Sequence, residues 1–188
     1  MVIGLHSHAQ EGEHFFGPVA ERILRRSPET IYIYKAAQPL NTLKRIVVAV
    51  PPKAEYEPGF HHWFERLYAI SKGLALPLTM YANNDTINRL QLVSRNRAAE
   101  TSVSFKEFSY WDEFLLFARE VKKDDLFVII SSRRGHVSYQ QAFEKLPAYL
   151  TRHFQDVGFI LLYPTQLDQD VSLEMQHMDT TLLTPIQE

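Results

Sequence analysis

The segment Leu126-Phe127-Val128-Ile129-Ile130 is a continuous apolar run rich in β-branched residues, the pattern of a strand buried on both faces in a parallel sheet. It breaks into the polar, basic stretch Ser131-Ser132-Arg133-Arg134-Gly135-His136. Phe143, Leu146, Tyr149, Leu150 and Phe154 then recur at spacings of three and four, which predicts a helix. Gly158 leads into a second apolar run, Phe159-Ile160-Leu161-Leu162-Tyr163, closed by Pro164. Strand, loop, helix and strand in this order make a βαβ unit with a right-handed crossover. Parallel α/β sheets place their ligand sites at the C-terminal ends of strands, so residues 131–138 become the first place to look for function.

The rest of the chain repeats the theme. Met1-Val2-Ile3-Gly4-Leu5 reads as a strand, residues 6–13 as a polar loop and residues 15–26 as a helix. Phe16, Val19, Ala20, Ile23 and Leu24 fall on one face of that helix, and Thr30-Ile31-Tyr32-Ile33-Tyr34 is the next strand. This is the same architectural unit a second time, without its front half. After a Pro- and Asn-containing linker at 36–42, strands are predicted at 46–50, 78–82, 101–108, 126–130 and 159–163. They alternate with helices at 60–74, 86–97, 111–122 and 143–154. The pattern predicts a doubly wound α/β sandwich over 43–163, five-stranded and mostly parallel, with strand order 3-2-1-4-5. The polar residues beyond 166 read as a tail.

Composition narrows the function classes. The 188 residues are 45% hydrophobic and 22% charged, enough to bury a core. Net charge is -2 and no basic run is long, which argues against nucleic-acid binding through phosphate neutralisation. There are no cysteines, so disulfides, thiol catalysis and cysteine-bound metals are excluded. No apolar run reaches the roughly 20 residues that span a bilayer, and the polypeptide by itself is expected to be soluble.

Chemistry-bearing residues are few. Arg133 and Arg134 are the leading ligand candidates, against a solvated loop that merely keeps the sheet end polar. His6, His8 and His14 invite a metal, but no carboxylate pattern fixes a coordination geometry. His61 and His62 are adjacent on a helix and point about 100° apart. Glu55, Glu57 and Glu65 read as surface charges. No Ser–His–Asp or paired-carboxylate motif is present, and no enzyme and no cofactor are expected.

The five-stranded unit resembles the universal stress protein fold (adenine nucleotide alpha hydrolase-like). The segment Asn41-Thr42-Leu43-Lys44-Arg45-Ile46-Val47-Val48-Ala49-Val50-Pro51-Pro52-Lys53-Ala54-Glu55-Tyr56 carries a narrower likeness, as does the segment from Ser131 through Val137-Ser138-Tyr139 to Leu146-Pro147. Both resemble the cytoplasmic C-terminal tails of bacterial sodium/proton antiporters of the second cation/proton antiporter superfamily. The resemblance implies residues 1–38 as the C-terminal half of a first stress-protein-like module, 39–165 as a complete module and 166–188 as a polar tail. It implies a non-catalytic regulatory or dimerisation domain on the cytoplasmic side of the inner membrane, attached to an antiporter membrane domain. A free-standing nucleotide-binding module is the alternative.

Nucleotide-binding stress proteins carry a G-x2-G-x9-G-(S/T) loop whose glycines let backbone amides approach phosphates. In the first copy Gly4, Ser7 and Gly17 fall on that spacing, with Ser7 in place of a glycine and Pro18 in place of the hydroxyl. In the second copy Ser131 and Arg134 stand at the glycine positions, and Pro51-Pro52-Lys53 replaces the expected acidic residue. Neither loop reads as a working ATP site. Another anion or a nucleotide remains open, through Lys53, Ser131, Ser132, Arg133, Arg134, Gly135 and Ser138 converging at the strand ends. The strands at 31–34 and 160–163 are equivalent by the repeat and expose apolar edges. They are predicted to pair with each other, within one chain or across a homodimer.

Overall fold

The structure, a computed structural model, describes residues 1–5, 16–95 and 102–166; the side chains of 18–20, 25 and 26 lie outside that description. Along the chain run β1 (Val2–Gly4), α1 (Gly17–Arg26), β2 (Ile31–Lys35), β3 (Arg45–Ala49), α2 (Phe60–Leu74) and β4 (Leu78–Ala82). There follow α3 (Asn84–Ser94), β5 (Val103–Glu107), α4 (Phe117–Glu120), β6 (Asp125–Ile130), α5 (Leu146–His153) and β7 (Gly158–Tyr163). Local chemistry explains several boundaries. The Asn83 side chain accepts the Thr86 amide at 3.1 Å and caps α3. The chain turns out of α2 at Ala75, which adopts φ 52° in the left-handed region.

Two predicted helices are shorter than the periodicity suggests. The stretch 111–122 is a 3-10 helix over Trp111–Leu116, interrupted by non-helical angles at Glu113, followed by the single turn of α4. The stretch 143–154 is a 3-10 helix over Gln141–Lys145 and then α5. Pro147 stands in the first turn of α5, where a missing N–H costs nothing, so the helix restarts there.

The sheet has seven strands, in the order β1-β2-β7-β6-β3-β4-β5, where five were predicted in the order 3-2-1-4-5. The reason is edge pairing. β7 leaves one side of its backbone unpaired, and β2 takes it antiparallel, with Ile33 opposite Leu161. All other neighbours are parallel. The equivalent strands thus join inside one chain.

Ile3 pairs with Ile33, and Ile129 pairs with Leu161. Outside the strands the match continues: Leu5 N donates to Tyr34 O and Ser131 N to Leu162 O, both at 2.8 Å. An approximate two-fold axis through the Ile33–Leu161 pair therefore relates β1-β2 to β6-β7.

Two cores flank the sheet, because side chains alternate along each strand. Ile31, Ile33, Val47, Ala49, Phe127, Ile129, Phe159 and Leu161 face α1, α4 and α5. Ile46, Val48, Leu78, Met80, Leu126, Val128 and Ile130 face α2 and α3, whose Trp63, Phe64, Leu67 and Leu90 are fully buried. No helix among the described residues is long and apolar enough to cross a membrane.

Candidate functional site

β3 has β4 on one side and β6 on the other, so the loops leaving β3 and β6 meet where the sheet changes direction. This is where the sequence placed the ligand residues. The structure brings the two loops together, with Arg133, Arg134, Ser132 and Ser138 each engaged by a protein partner.

Arg133 is the most heavily engaged. Its Nε donates to Leu24 O at 3.0 Å, Nη1 to Pro164 O at 2.8 Å and Gln166 Oε1 at 3.1 Å, and Nη2 to Glu29 O at 2.8 Å. The Leu24 carbonyl lies in the last turn of α1, where helix carbonyls lack internal partners and a cation is favoured. Gln166 Oε1 also accepts the Arg133 backbone N–H, and its Nε2 donates to Ser132 Oγ at 2.7 Å. The guanidinium carbon stands 5.8 Å from the Tyr163 ring centre. Burial lowers the Arg133 pKa from its ordinary value, opposed by Tyr163 and Glu57. Burial likewise raises that of Tyr163, opposed by the Ser131 hydroxyl and Arg133. Arg133 thus clamps the end of α1, the approach to β2 and the exit of β7 onto one loop.

Arg134 points away, into an exposed pair with Glu144 at 2.6 Å, and Tyr139 OH donates to the same carboxylate oxygen at 2.7 Å. Gly135 adopts φ 87°, the left-handed conformation that closes the turn in which His136 N donates to Arg133 O. Lys53 is exposed, in the left-handed region at φ 66°. Ser131 and Ser132 are buried. Beside Ser132, Arg133 and Arg134 lies an open cleft of about 520 Å³, walled by Leu24, Phe143 and Tyr163 and rimmed by Arg134, Tyr139 and Glu144.

Glu57, read from the sequence as a surface charge, is 5% exposed. Its Oε1 accepts the Ser138 backbone N–H at 3.1 Å and the Ser138 hydroxyl at 2.6 Å, and its Oε2 lies 3.9 Å from His136 Nδ1. The carboxylate occupies the loop that was expected to hold an anion. A signal for it exists in the sequence: Glu57-Pro58-Gly59 directly precedes a helix, where a negative charge is favoured. Gln166 was missed as well, being assigned to the tail. Glu55 is not a free surface charge either, since its Oε2 accepts Thr86 Oγ1 at 2.7 Å.

In the first copy, Gly4 ends β1, and Gly17 opens α1 at φ 78°. Ser7, His6, His8 and His14 lie outside the described residues. His61 and His62 are exposed, and no metal-ligand cluster exists among the described residues.

No family model matches the chain. No curated protein sequence matches it. Solved structures do. A universal stress protein from Archaeoglobus fulgidus DSM 4304 superposes with a TM-score of 0.55 at 14% identity, covering 87% of this chain and 60% of that one. A protein of unknown function from Pseudomonas aeruginosa PAO1 gives 0.50 at 16% identity, covering 96% and 66%. A putative universal stress protein from P. aeruginosa UCBPP-PA14 gives 0.49 at 18%, covering 95% and 66%. The chain spans less than two thirds of each of these structures. The α/β fold of this chain is that of the universal stress proteins.

Proposed function

We propose that the chain is a non-catalytic, universal-stress-type module that regulates a monovalent cation/proton antiporter from the cytoplasmic side of the inner membrane. The observation that carries the non-catalytic reading is the state of the strand-end loops. Two of their charged groups are spent on the fold: the Arg133 guanidinium on protein acceptors, and Glu57 on Ser138. A site built for turnover keeps such groups aimed at the reacting atoms. Here they join two stress-protein-like units into one body. The antiporter attachment is supported by the likeness of residues 41–56 and 131–147 to antiporter tails.

A regulator acts only if its two states interact differently with the transporter or with a ligand. The test is antiport rate against pH in membrane vesicles, for the whole transporter with and without residues 1–188. Unchanged rate and unchanged pH profile overturn the regulatory reading.

The cleft beside Tyr163 favours a second reading, a nucleotide-binding module, since it offers aromatic walls and a polar rim that carries Arg134. A thermal-shift screen against ATP, AMP, cyclic dinucleotides and simple anions separates the two. Stabilisation by one compound, lost in Arg134→Ala, supports the ligand-binding module.

A further inference from the structure

The protein is charged oppositely at the two ends of its sheet. β3, β6 and β7 begin, and β2 ends, on the side away from the loops described above: Arg45 pairs with Asp125, Leu126 with Gly158 and Lys35 with Phe159. α4 and α5 return the chain to the start of the next parallel strand, so they finish on that side too. Lys44, Arg119, Lys122, Lys123 and Arg152 are exposed there. The acids do not balance them. Asp156 is exposed and Asp124 pairs with Lys44 at 2.7 Å, but Glu120 and Asp125 turn toward Tyr81 and Arg45. At the opposite end the balance reverses: Glu29, Asp85, Glu107, Asp112, Glu113 and Glu144 are exposed against Lys53, Arg134 and Lys145 among the described side chains. A net charge of -2 conceals this separation.

Part of the basic end serves the fold. Arg119 and Arg152 lie in the last turns of α4 and α5, where a helix favours cations, and Lys35 Nζ donates to Gln155 O at 2.6 Å. That does not account for Lys44, Lys122 and Lys123, which belong to loops, nor for what lies beside them. Leu115 and Leu116 are 37% and 49% exposed and stand one helical turn before Arg119. Phe117 and Val121 between them are buried. The segment 115–123 therefore turns its two leucines outward together with Arg119, Lys122 and Lys123. Arg119, Lys122 and Arg152 form no ion pair among the described residues.

We propose that this end of the sheet docks on the surface of a bilayer containing anionic phospholipids. Arg119, Lys122, Lys123 and Arg152 meet the headgroups, and Leu115 and Leu116 enter the boundary between headgroups and acyl chains. Cations beside exposed leucines are what that boundary selects, whereas a nucleic-acid backbone offers the leucines nothing. The cations are also spread out rather than gathered in a groove. Lys35 on β2 and Lys44 before β3 are three strand spacings apart, about 14 Å, and the ends of α4 and α5 add a second row. Such a spread suits a surface better than a peptide. A cleft of about 310 Å³ between the ends of α4 and α5 has Val121, Phe154 and Val157 among its walls. Its rim carries Lys123, Arg152 and His153 against Asp156, so a headgroup phosphate entering it meets more positive than negative charge. The same membrane repels the acidic end, which fixes the orientation. None of this requires that a transporter be attached.

Flotation of the whole purified chain with lipid vesicles tests the proposal, phosphatidylglycerol mixed with phosphatidylcholine against phosphatidylcholine alone. Binding to the anionic vesicles is expected to be at least about tenfold stronger, and to fall as salt is raised. Arg119→Glu combined with Lys122→Glu should weaken it at least about tenfold. Both side chains are exposed, and a thermal melt confirms that the variant is folded. Lys145→Glu, at the acidic end, should bind as the parent chain does. Leu115→Ser combined with Leu116→Ser should weaken vesicle binding about fivefold and leave retention on heparin unchanged. Absent binding, equal binding to both vesicle types, or an equal loss in Lys145→Glu overturns the proposal. So does a leucine variant that binds vesicles like the parent, which assigns the basic end to a soluble polyanion or an acidic protein instead.

Discussion

The backbone N–H of Gly59 donates to the Thr165 carbonyl at 3.1 Å, and a Cβ on Gly59 would stand 2.8 Å from both the N and the O of Thr165. The start of α2 thus presses directly on the exit of β7, backbone against backbone. Neither side can yield by turning a side chain. Gly59→Ala is expected to destabilise the fold by about 1–3 kcal/mol, the range for overpacking a filled interior. Gly73→Ala is the internal control. Gly73 lies inside α2 with nothing within 4 Å of an added Cβ, so helix propensity gives a gain of up to about 1 kcal/mol. Thermal melts of the two variants should move in opposite directions.

Arg133 and Arg134 are adjacent in sequence and opposite in consequence. Arg133→Ala withdraws donors from the carbonyls of Leu24, Glu29 and Pro164 and from Gln166. Leaving part-buried acceptors unmatched costs on the order of 2–4 kcal/mol in total. Arg134→Ala breaks one exposed ion pair with Glu144 and should cost less than about 1 kcal/mol. Arg133→Lys should not rescue, because an ammonium cannot reach several carbonyls in the guanidinium plane. Limited proteolysis reads the difference: cleavage between α1 and β2 accelerates in Arg133→Ala and not in Arg134→Ala.

The element types were legible in the sequence where burial sets the pattern. The predominantly apolar runs of β3, β4 and β6 announced central parallel strands, and the Phe60, Trp63, Phe64, Leu67 series announced α2. The joining of Ile31–Lys35 to Gly158–Tyr163 was legible too, because two equivalent apolar edges in one chain have an obvious use for each other. The strand count of five fell short of the seven-stranded sheet because β1 and β2 were read as a separate partial module, although the edges of β2 and β7 were expected to pair. The partners of the site residues were not legible in the sequence. Arg133 was read as a ligand candidate with no structural role beside it, because the sequence does not show that α1 ends its carbonyls against it. Glu57 looked like a surface charge because its partner, Ser138, lies far away in the sequence.

Glu57 should behave as a fold residue. Glu57→Ala leaves the buried Ser138 N–H and hydroxyl without an acceptor, at a cost of about 2 kcal/mol. Glu57→Gln keeps a carbonyl oxygen for the same donors and should recover more than half of that loss. Urea melts of the two variants check the order. Equal stability of Glu57→Ala and the parent chain would show that the contact contributes nothing.

Acid should weaken the fold through Glu120, at the far edge from these loops. Its carboxylate accepts from Tyr81 OH and from Lys106 Nζ at 2.9 Å, and Arg45 Nη1 lies 3.8 Å away. The Tyr81 hydrogen bond first, then that of Lys106, lowers its pKa from the ordinary 4.5. The unfolded chain then binds a proton at Glu120 more readily than the folded one, so stability rises with pH across the window between the two values. The contribution is complete above about pH 5 and is lost as pH falls below 4.5 through the lowered folded value. Asp124 and Asp156 are lowered as well, but mainly by Lys44 and Lys123, whose largely exposed ammonium groups salt screens. Stability measured from pH 6 to pH 3 in about 0.5 M salt, where screening is short-ranged, should therefore retain the part due to Glu120. Glu120→Gln, which cannot ionise, should flatten that part of the profile. A slope that is the same in Glu120→Gln and in the parent chain would assign the acid sensitivity elsewhere.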